Sequence, residues 1–248
     1  MNFKDHFSRF AAQYAEFRPH YPGALFDFLA RVSPARNRAW DCACGNGQAT
    51  VDLGERFATV IGTDASAQQL AAARPHPRVT YAVARAEESG LESDSVDLVT
   101  VAQALHWFDL PQFYAEVKRV LRSNGVLAVW TYGVPRLNEP TLDRLLQTYY
   151  GDTVGDYWPP ERRYVEDGYR SLTFPFAELA SPSLSMLENW TQAQLLGYLR
   201  SWSATARYVD ARGGDPVAAL ETLLSPAWGD AQRTRTVSWP LSLRVGHT

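Results

Sequence analysis

A turn of small residues follows the first predicted strand and has the composition of a ligand-binding site. Its sequence is Asp41-Cys-Ala-Cys-Gly45-Asn-Gly47. Small residues let a ligand approach the backbone closely, and the amides at the start of the helix that follows favour a carboxylate or a phosphate. We predict that Asp41, Ala43, Cys44, Gly45 and Gly47 bind a cofactor. As an alternative, Asp41 only holds the turn by accepting hydrogen bonds from backbone amides.

An acidic side chain at the end of the second predicted strand complements this turn. Asp64 lies 23 residues after Asp41 and is followed by Ala65. A carboxylate in this place can accept hydrogen bonds from both hydroxyls of a ribose. Alternatively, Asp64 is an ordinary residue at the N-terminus of a helix. The turn and the acid together predict a nucleoside-bearing cofactor that contacts Asp64 and Ala65.

The glycine spacing distinguishes two cofactor classes. A dinucleotide site requires Gly-x-Gly-x-x-Gly or Ala, so that a pyrophosphate fits against the helix. Counted from Gly45, the third position is the β-branched Thr50. The pattern acid-x-small-x-Gly-x-Gly fits from Asp41 to Gly47. The spacing therefore favours S-adenosylmethionine over a nicotinamide dinucleotide.

Alternating apolar and amphipathic segments through residue 132 predict the strands and helices that position these residues. The apolar runs are too uniform for a half-solvated sheet, which indicates an α/β fold with a buried parallel sheet. The predicted strands are Arg38 to Cys44, Thr59 to Thr63, Val79 to Val83, Val96 to Ala102 and Val126 to Tyr132. The predicted helices between them are Pro22 to Val32, Ala49 to Phe57, Ser66 to Arg74 and Leu110 to Leu121.

After residue 132 the alternation of apolar and amphipathic segments ends. Residues 133–235 contain several prolines and aromatic residues and are predicted to form a lid or substrate region. Within it, Thr191-Gln-Ala-Gln194 is a capping box that predicts a helix, and Asp215-Pro216 predicts another. Residues 236–248 are predicted to close the sheet, with a bulge or an unpaired edge at Pro240. With an arm at residues 1–21 and a core at 22–132, the chain is predicted to be a single domain.

Composition excludes several classes of protein. The chain has 248 residues, 46% of them hydrophobic, and a net charge of −3. This balance disfavours disorder and gives no support to a nucleic-acid partner. No run approaches the ~20 apolar residues of a membrane span. Cys42 and Cys44 are interpreted as small buried residues rather than metal ligands or a disulfide. We predict a cytoplasmic protein, monomeric or homodimeric, with no metal.

On these motifs the sequence resembles the class I S-adenosylmethionine-dependent methyltransferases of the type 11 group. The resemblance implies a Rossmann-like, seven-stranded, mostly parallel sheet with helices on both faces. It implies that the Asp41 to Gly47 turn surrounds the methionine end of the cofactor and that Asp64 binds the ribose. It further implies adenine contacts near Ala86 and Glu87, although a solvated acidic turn is an equal alternative for Glu87. Gln103 and Trp107 would line the cofactor.

Two further segments indicate a particular subgroup of this family. They are the N-terminal arm, residues 1–21, and the later Gly197-Tyr-Leu-Arg-Ser-Trp202. Both are similar to the subgroup that includes trans-aconitate methyltransferases. In such proteins the arm folds over the cofactor pocket. The likeness implies that Tyr14 and Arg18 lie close to the methionine moiety, where the guanidinium would pair with a carboxylate. A plain surface charge is the alternative for Arg18.

One histidine lies where it could act on a methyl acceptor. His106 follows the fourth strand, and we hypothesise that it orients or deprotonates the acceptor. The alternative is a structural histidine whose hydrogen bonds are satisfied. Three aromatic residues, Trp130, Tyr132 and Trp158, are candidates for the acceptor pocket, although core packing is the commoner role for such side chains.

The predicted function is methyl transfer from S-adenosylmethionine to a small molecule, preferably to a carboxylate or hydroxyl oxygen, with S-adenosylhomocysteine as product. Gln103-Ala-Leu-His106 stands where enzymes that methylate amide or base nitrogens carry Asn/Asp-Pro-Pro-Tyr/Phe, which disfavours that chemistry. Two alternatives stay open. One is a non-catalytic protein that binds S-adenosylmethionine, and the other, disfavoured by Thr50, is a nicotinamide-dependent oxidoreductase.

Overall fold

A computed structural model describes residues 19–248 of the chain. Its centre is a run of five parallel strands in the order β3-β2-β1-β4-β5. Their bounds are β1 Arg38–Cys42, β2 Thr59–Asp64, β3 Val79–Val83, β4 Val96–Ala102 and β5 Leu121–Tyr132. The bounds of β3 and β4 are those predicted from the sequence. The other three differ by a few residues at their ends, where local pattern is weakest.

Within residues 19–248, four α-helices lie before or between these strands, and five more follow. The first four are α1 Gly23–Val32, α2 Gln48–Gly54, α3 Ala67–Ala71 and α4 Leu110–Val120. The others are α5 Pro140–Thr148, α6 Arg162–Glu166, α7 Gln192–Arg200, α8 Ser203–Arg212 and α9 Pro216–Trp228. Within residues 19–248, no helix has the length and apolar composition needed to span a bilayer.

Side-chain caps explain why several helices begin where they do. The Asp109 carboxylate accepts a hydrogen bond from the Gln112 amide at the start of α4. Thr191 and Gln194 form the predicted capping box of α7. Asp215 caps α9, whose first residue is Pro216. Such caps satisfy amides that have no partner within the helix, and each stabilises it by about 1 kcal/mol.

The second half of the sheet corrects the expected strand count. In the described part of the chain the sheet has nine strands instead of seven, and the region 133–235 contributes three of them. These are β6 Arg136–Leu137, β7 Ala177–Glu178 and β8 Leu184–Trp190, and all three pair antiparallel with β9, Arg235–His247. β9 also pairs antiparallel with β5.

Pro240 lies at a gap on one edge of β9. The ladder with β5 begins at Leu241, and the ladder with β6 ends at Ser238. On the other edge Pro240 is in register with Ser185 of β8. Proline has no amide hydrogen, so the gap leaves no backbone donor of Pro240 unpaired.

The apolar core lies on both faces of the sheet. One cluster contains α1 and the helices of the later region, and it includes the fully buried Trp130, Trp228 and Trp239. The other lies under α4 and includes Trp40 and Tyr169. Because both faces are covered, the carboxyl ends of the parallel strands are left as the place where a ligand can approach.

Candidate functional site

The strand order changes direction between β1 and β4, and strained backbone is concentrated at their carboxyl ends. After β1, Ala43, Gly45 and Gly47 have φ values of 54°, 57° and 80°. After β4, Gln103 has φ 61°. Left-handed conformations cost energy and collect at functional sites, and the topological switch point is where open α/β sheets bind ligands. This edge is therefore the candidate site.

Asp41 is a structural residue of this edge. Its side chain is buried, and its two oxygens accept hydrogen bonds from the hydroxyls of Thr50 at 2.6 Å and Thr100 at 2.7 Å. These bonds join β1 to α2 and β4. Burial raises the pKa of Asp41 to about 6. Asp41 is thus bound by the hydroxyls of Thr50 and Thr100, and not by the backbone amides that the alternative interpretation expected.

Asp64 connects the turn to the end of β2. One carboxylate oxygen accepts the backbone amide of Gly45 and the other accepts that of Ser66, each at 2.8 Å. Each carboxylate oxygen can accept more than one hydrogen bond. The geometry fits the ribose-binding role, because the same carboxylate that orders the Gly45 turn can also accept hydroxyl donors.

Tyr81 is a component of this edge that sequence analysis missed. Its hydroxyl donates to the carbonyl of Arg74 at 2.8 Å, and its ring crosses Gly62 of β2. A Cβ on Gly47 would lie 2.1 Å from that hydroxyl oxygen. Gly47 is therefore required by its backbone conformation and by the close approach of Tyr81. The pairing of β2 with β3 brings Tyr81 to the turn at Gly47. No local sequence motif indicates this contact.

The turn itself fits a bound cofactor. Gly45 is in a left-handed conformation, and a Cβ added to it would lie no closer than 3.8 Å to another atom, the side-chain oxygen of Gln69. Gly45 is thus needed for its backbone conformation, and the space beside it remains open. A left-handed turn beside an acidic side chain and a helix start is the combination that binds a nucleoside with an anionic tail.

The remaining predicted cofactor residues differ in their exposure and in their hydrogen bonds. Ala65 is exposed, Ala86 is buried, and Trp107 is 38% exposed. Glu87 accepts the amide of Asp109 at 3.1 Å and pairs with Arg85 at 3.3 Å. Its side chain is thus tied to the start of α4 rather than solvated.

Gln103 connects the ends of β4 and β5. Its side-chain amide donates to the carbonyl of Tyr132 at 3.1 Å, and its side-chain oxygen accepts from the Thr131 hydroxyl at 2.6 Å. Because an amide oxygen can only accept, the Thr131 proton is committed to Gln103.

His106 forms a pair with Tyr169, a residue of the later region. The imidazole Nδ1 lies 2.9 Å from the Tyr169 hydroxyl, which also adjoins the Thr131 side chain and the Leu105 amide. Thr131 donates its own proton to Gln103. Between His106 and Tyr169, either the imidazole N–H or the hydroxyl can be the donor, and the tautomer of His106 follows from which of them it is.

Burial keeps both partners of this pair uncharged. Desolvation, with a smaller contribution from the Arg162 cation, lowers the pKa of His106 to about 4. Burial raises the pKa of Tyr169 well above its usual range. At neutral pH the imidazole is neutral and is a weak base.

Arg244 of β9 holds the turn that carries Tyr169. Its guanidinium donates to the carbonyls of Tyr169 and Leu172, each at 2.8 Å. Gly168 and Tyr169 have consecutive positive φ values of 66° and 64°. These bonds offset part of the strain of a left-handed tyrosine, which is of order 1–3 kcal/mol.

The buried imidazole predicts a pH-dependent stability. The folded-state pKa is depressed, so the contribution is present above the unfolded value of about 6.5 and is lost as the pH falls towards 4. Between pH 7 and pH 5, we expect the wild type to lose about 2 kcal/mol more unfolding free energy than the non-titrating variant His106→Gln. Urea denaturation at the two pH values measures this difference, and parallel losses in both proteins would contradict it.

The three aromatic residues predicted for an acceptor pocket occupy different environments. Trp130 is fully buried and packs edge-on to Tyr21 at 5.5 Å, and Tyr132 is 6% exposed. Trp158 is partly exposed and stacks near Tyr150 and Trp202 at 5.3 and 5.4 Å. Trp158 also lies under the guanidinium of Arg162, whose charge acts on His106.

Arg162 and Tyr169 belong to the site and were missed at the sequence level. Tyr169 follows a glycine, which indicates a turn, but its contact with His106 spans 63 residues. Arg162 is one of many arginines, and only its position four residues after Trp158 distinguishes it. The predicted cofactor contacts Tyr14 and Arg18 lie outside the described residues.

Comparison with known proteins connects this geometry to a reaction. Residues 40–129 match the model of a protein family described as a methyltransferase domain. This range contains the turn, Asp64 and His106. A protein of Dictyostelium discoideum named as a methyltransferase is 38% identical over 226 residues, covering 90% of this chain and 86% of that protein.

Two further similar proteins are also named or described as methyltransferases. A solved structure from Anaeromyxobacter dehalogenans, described as a type II methyltransferase, has a TM-score of 0.89 and 46% identity and covers 93% of this chain and 97% of that one. A Saccharomyces cerevisiae protein named as an S-adenosylmethionine-dependent methyltransferase is 30% identical over 169 residues, covering 62% of this chain and 57% of that protein.

Proposed function

From the premise that this chain belongs to the class I S-adenosylmethionine-dependent methyltransferases, we propose that it methylates an oxygen of a small molecule. The observation that supports an oxygen acceptor is the environment of His106. Its imidazole lies beyond the carboxyl end of β4 and is held by Tyr169. With a pKa of about 4, it is a poor base for the proton of an alcohol or an amine. A carboxylate needs no base and is the favoured acceptor.

The cofactor residues act by positioning. Bound S-adenosylmethionine would supply a methyl group that is already activated, because it is carried on a sulfonium. Transfer of the methyl group converts the sulfonium into a neutral thioether. Asp64 accepts the ribose hydroxyls while ordering the Gly45 turn, and the amides that begin α2 suit the carboxylate of the amino acid moiety. Asp41 keeps this turn fixed through Thr50 and Thr100.

The acceptor side needs orientation more than proton transfer. Holding the acceptor oxygen and the methyl carbon in line, about 3–3.5 Å apart, gives the largest rate contribution available to such a site. His106 is held by its hydrogen bond to the buried Tyr169 hydroxyl. Its Nε2 can orient a polar group of the acceptor. The likeness to the trans-aconitate methyltransferase subgroup stays a prediction.

Ligand-dependent thermal unfolding followed by a transfer assay tests the function. A ligand at 100 times its dissociation constant adds about 2.7 kcal/mol, which raises the midpoint by roughly 5–10 °C in a domain of this size. We expect such a shift with S-adenosylmethionine and S-adenosylhomocysteine, and none with reduced nicotinamide cofactors. Radiolabelled methyl transfer to a panel of carboxylic acids, phenols and amines then tests the acceptor. Binding without transfer to any acceptor would support a non-catalytic protein instead.

The variant His106→Gln distinguishes orientation from base catalysis. Glutamine keeps an acceptor oxygen but cannot take up a proton, so we expect kcat with a carboxylic acid to stay within about threefold of the wild type. A general base would contribute about 10²–10⁴-fold. Single-turnover rates measure the chemical step directly. A loss of two orders of magnitude in kcat would restore the base hypothesis.

A further inference from the structure

An arginine lies against aromatic rings beside the proposed acceptor site. Arg162 is the first residue of α6, and its guanidinium carbon lies 4.4 Å from the ring centroid of Trp158 and 5.4 Å from that of Tyr150. Trp202 packs against both rings, at 5.4 and 5.8 Å. These rings restrict the guanidinium and reduce its contact with water, which strengthens its interaction with an anion.

The hydrogen bonds of Arg162 leave one edge of the guanidinium available. Its Nε donates to the Tyr150 hydroxyl at 2.9 Å, and that hydroxyl donates to Glu166. Across residues 19–248, Arg162 forms no ion pair, and its two terminal nitrogens have no hydrogen-bond partner. Those nitrogens form the edge that matches a carboxylate with two parallel bonds.

The helix that carries Arg162 is joined to His106 through Tyr169. The Tyr169 amide donates to the carbonyl of Tyr164 on α6 at 2.8 Å, and the Tyr169 hydroxyl lies 2.9 Å from His106. The Arg162 charge contributes to the lowered pKa of His106. Because the imidazole is neutral, Arg162 supplies the positive charge of this group. The indole N–H of Trp158 is buried without a partner in the described part of the chain, which adds a second unsatisfied donor.

We propose that Arg162 binds a carboxylate of the methyl acceptor, one that is not itself methylated, and so determines which acceptors the enzyme takes. This inference rests on the proposed function. A single cation between aromatic rings matches the one charge of a carboxylate, whereas a phosphate dianion would need further cations.

The chemistry of the transfer explains why the bound carboxylate is a different one. In the reaction, an acceptor oxygen donates a lone pair to the methyl carbon, and the carbon–sulfur bond breaks with its electrons on sulfur. A reacting carboxylate thus loses its charge as the bond forms. An arginine paired with it would stabilise the ground state more than the transition state and would slow the reaction. Paired with a spectator carboxylate, Arg162 binds both states equally.

The experiment measures acceptor binding without turnover. Calorimetry on the protein saturated with S-adenosylhomocysteine compares benzoate with benzamide and succinate with succinamide, and inorganic phosphate is a third probe. The proteins are the wild type, Arg162→Gln, Arg162→Lys and Arg163→Gln. Arg163 is the matched control, because it is the next residue of α6, is exposed, and places its guanidinium against the ring and hydroxyl of Tyr164. Circular dichroism and thermal midpoints confirm that each variant is folded.

The inference predicts that at least one acid binds the wild type about tenfold more tightly than its amide. Arg162→Gln should remove this preference, Arg162→Lys should keep part of it, and Arg163→Gln should keep all of it. A preference that survives in Arg162→Gln overturns the inference, as does a wild type that binds neither acid better than its amide. Tighter binding of phosphate than of either acid would overturn the carboxylate class.

Methyl transfer is measured on the same variants, so that the two proposals fail separately. For an accepted acid, Arg162→Gln should raise KM about tenfold and leave kcat within threefold, since the spectator contact is equal in both states. Transfer to neutral acceptors that is indifferent to Arg162 would overturn the inference and leave the proposed function standing. Acid binding that depends on Arg162, without transfer to any acceptor, would support the inference about Arg162 and overturn the proposed methyl transfer.

Discussion

Replacing Asp64 with alanine should weaken the binding of S-adenosylmethionine by two to four orders of magnitude. The carboxylate is proposed to accept two ribose hydroxyls, and hydrogen bonds to a charged group contribute about 1.5–3 kcal/mol each. The same carboxylate also accepts the amides of Gly45 and Ser66 at 2.8 Å, so its loss loosens the turn as well. Calorimetric titration with S-adenosylhomocysteine measures the loss. A reduction below tenfold would remove Asp64 from the cofactor site.

Two comparisons separate the ribose contact from the ordering of the turn. Asp27→Ala removes an exposed carboxylate that pairs with Arg56 on the surface, and it should leave cofactor binding unchanged. An analogue of S-adenosylhomocysteine that lacks the ribose 2′-hydroxyl gives a double-mutant cycle with Asp64→Ala. If Asp64 contacts the ribose, the two losses should be less than additive. Full additivity would indicate that Asp64 acts on the turn alone.

Gly47→Ala should lower cofactor affinity about tenfold to a hundredfold and destabilise the protein. The new Cβ would lie 2.1 Å from the Tyr81 hydroxyl oxygen and 2.9 Å from its ring carbon Cζ. Tyr81 is held by its hydrogen bond to Arg74 and by its contact with Gly62, so relief of the clash moves either the turn or this ring away from its partners. The positive φ of 80° adds strain of about 1–3 kcal/mol, which the turn relieves by leaving its binding conformation.

Gly213→Ala is the matched control for Gly47→Ala. Gly213 has φ 75° at the end of α8, and a Cβ there would meet no atom within 4 Å. It should therefore show the backbone strain without a clash and without any change in cofactor affinity. Thermal unfolding and calorimetry on both variants separate the two effects. Equal behaviour of the two alanine variants would show that the approach of Tyr81 is unimportant.

The parallel strands and the turn were predictable because their signals are local. Uniform apolar runs identify buried strands, and the spacing from Asp41 to Gly47 identifies the turn between the first strand and the first helix. Caps such as Thr191 with Gln194 are also local and appear as predicted. The connection of these features to the methyltransferases came from their combination rather than from any one of them.

The acceptor side was less predictable because its contacts join distant parts of the chain. His106 meets Tyr169 across 63 residues, and the bonds of Arg244 to the same turn span more than 70. The orientation of Asp41 depends on Thr100, which only the pairing of β1 with β4 brings near. The extra strands likewise depend on β9, whose sequence does not indicate how many partners it has.

The shared strand β9 also constrains the order in which the fold can assemble during translation. The five parallel strands are complete at Tyr132, but β6, β7 and β8 have no strand partner until β9 emerges from the ribosome, about a hundred residues later. Because the chain is synthesised from its N-terminus, the parallel strands and the Asp41 to Gly47 turn leave the ribosome before the strand that the later region pairs with. The turn that carries Tyr169 depends on Arg244 and becomes fixed last. The residues proposed for the acceptor side therefore gain their strand partner only after Arg235 and the residues that follow it have been synthesised.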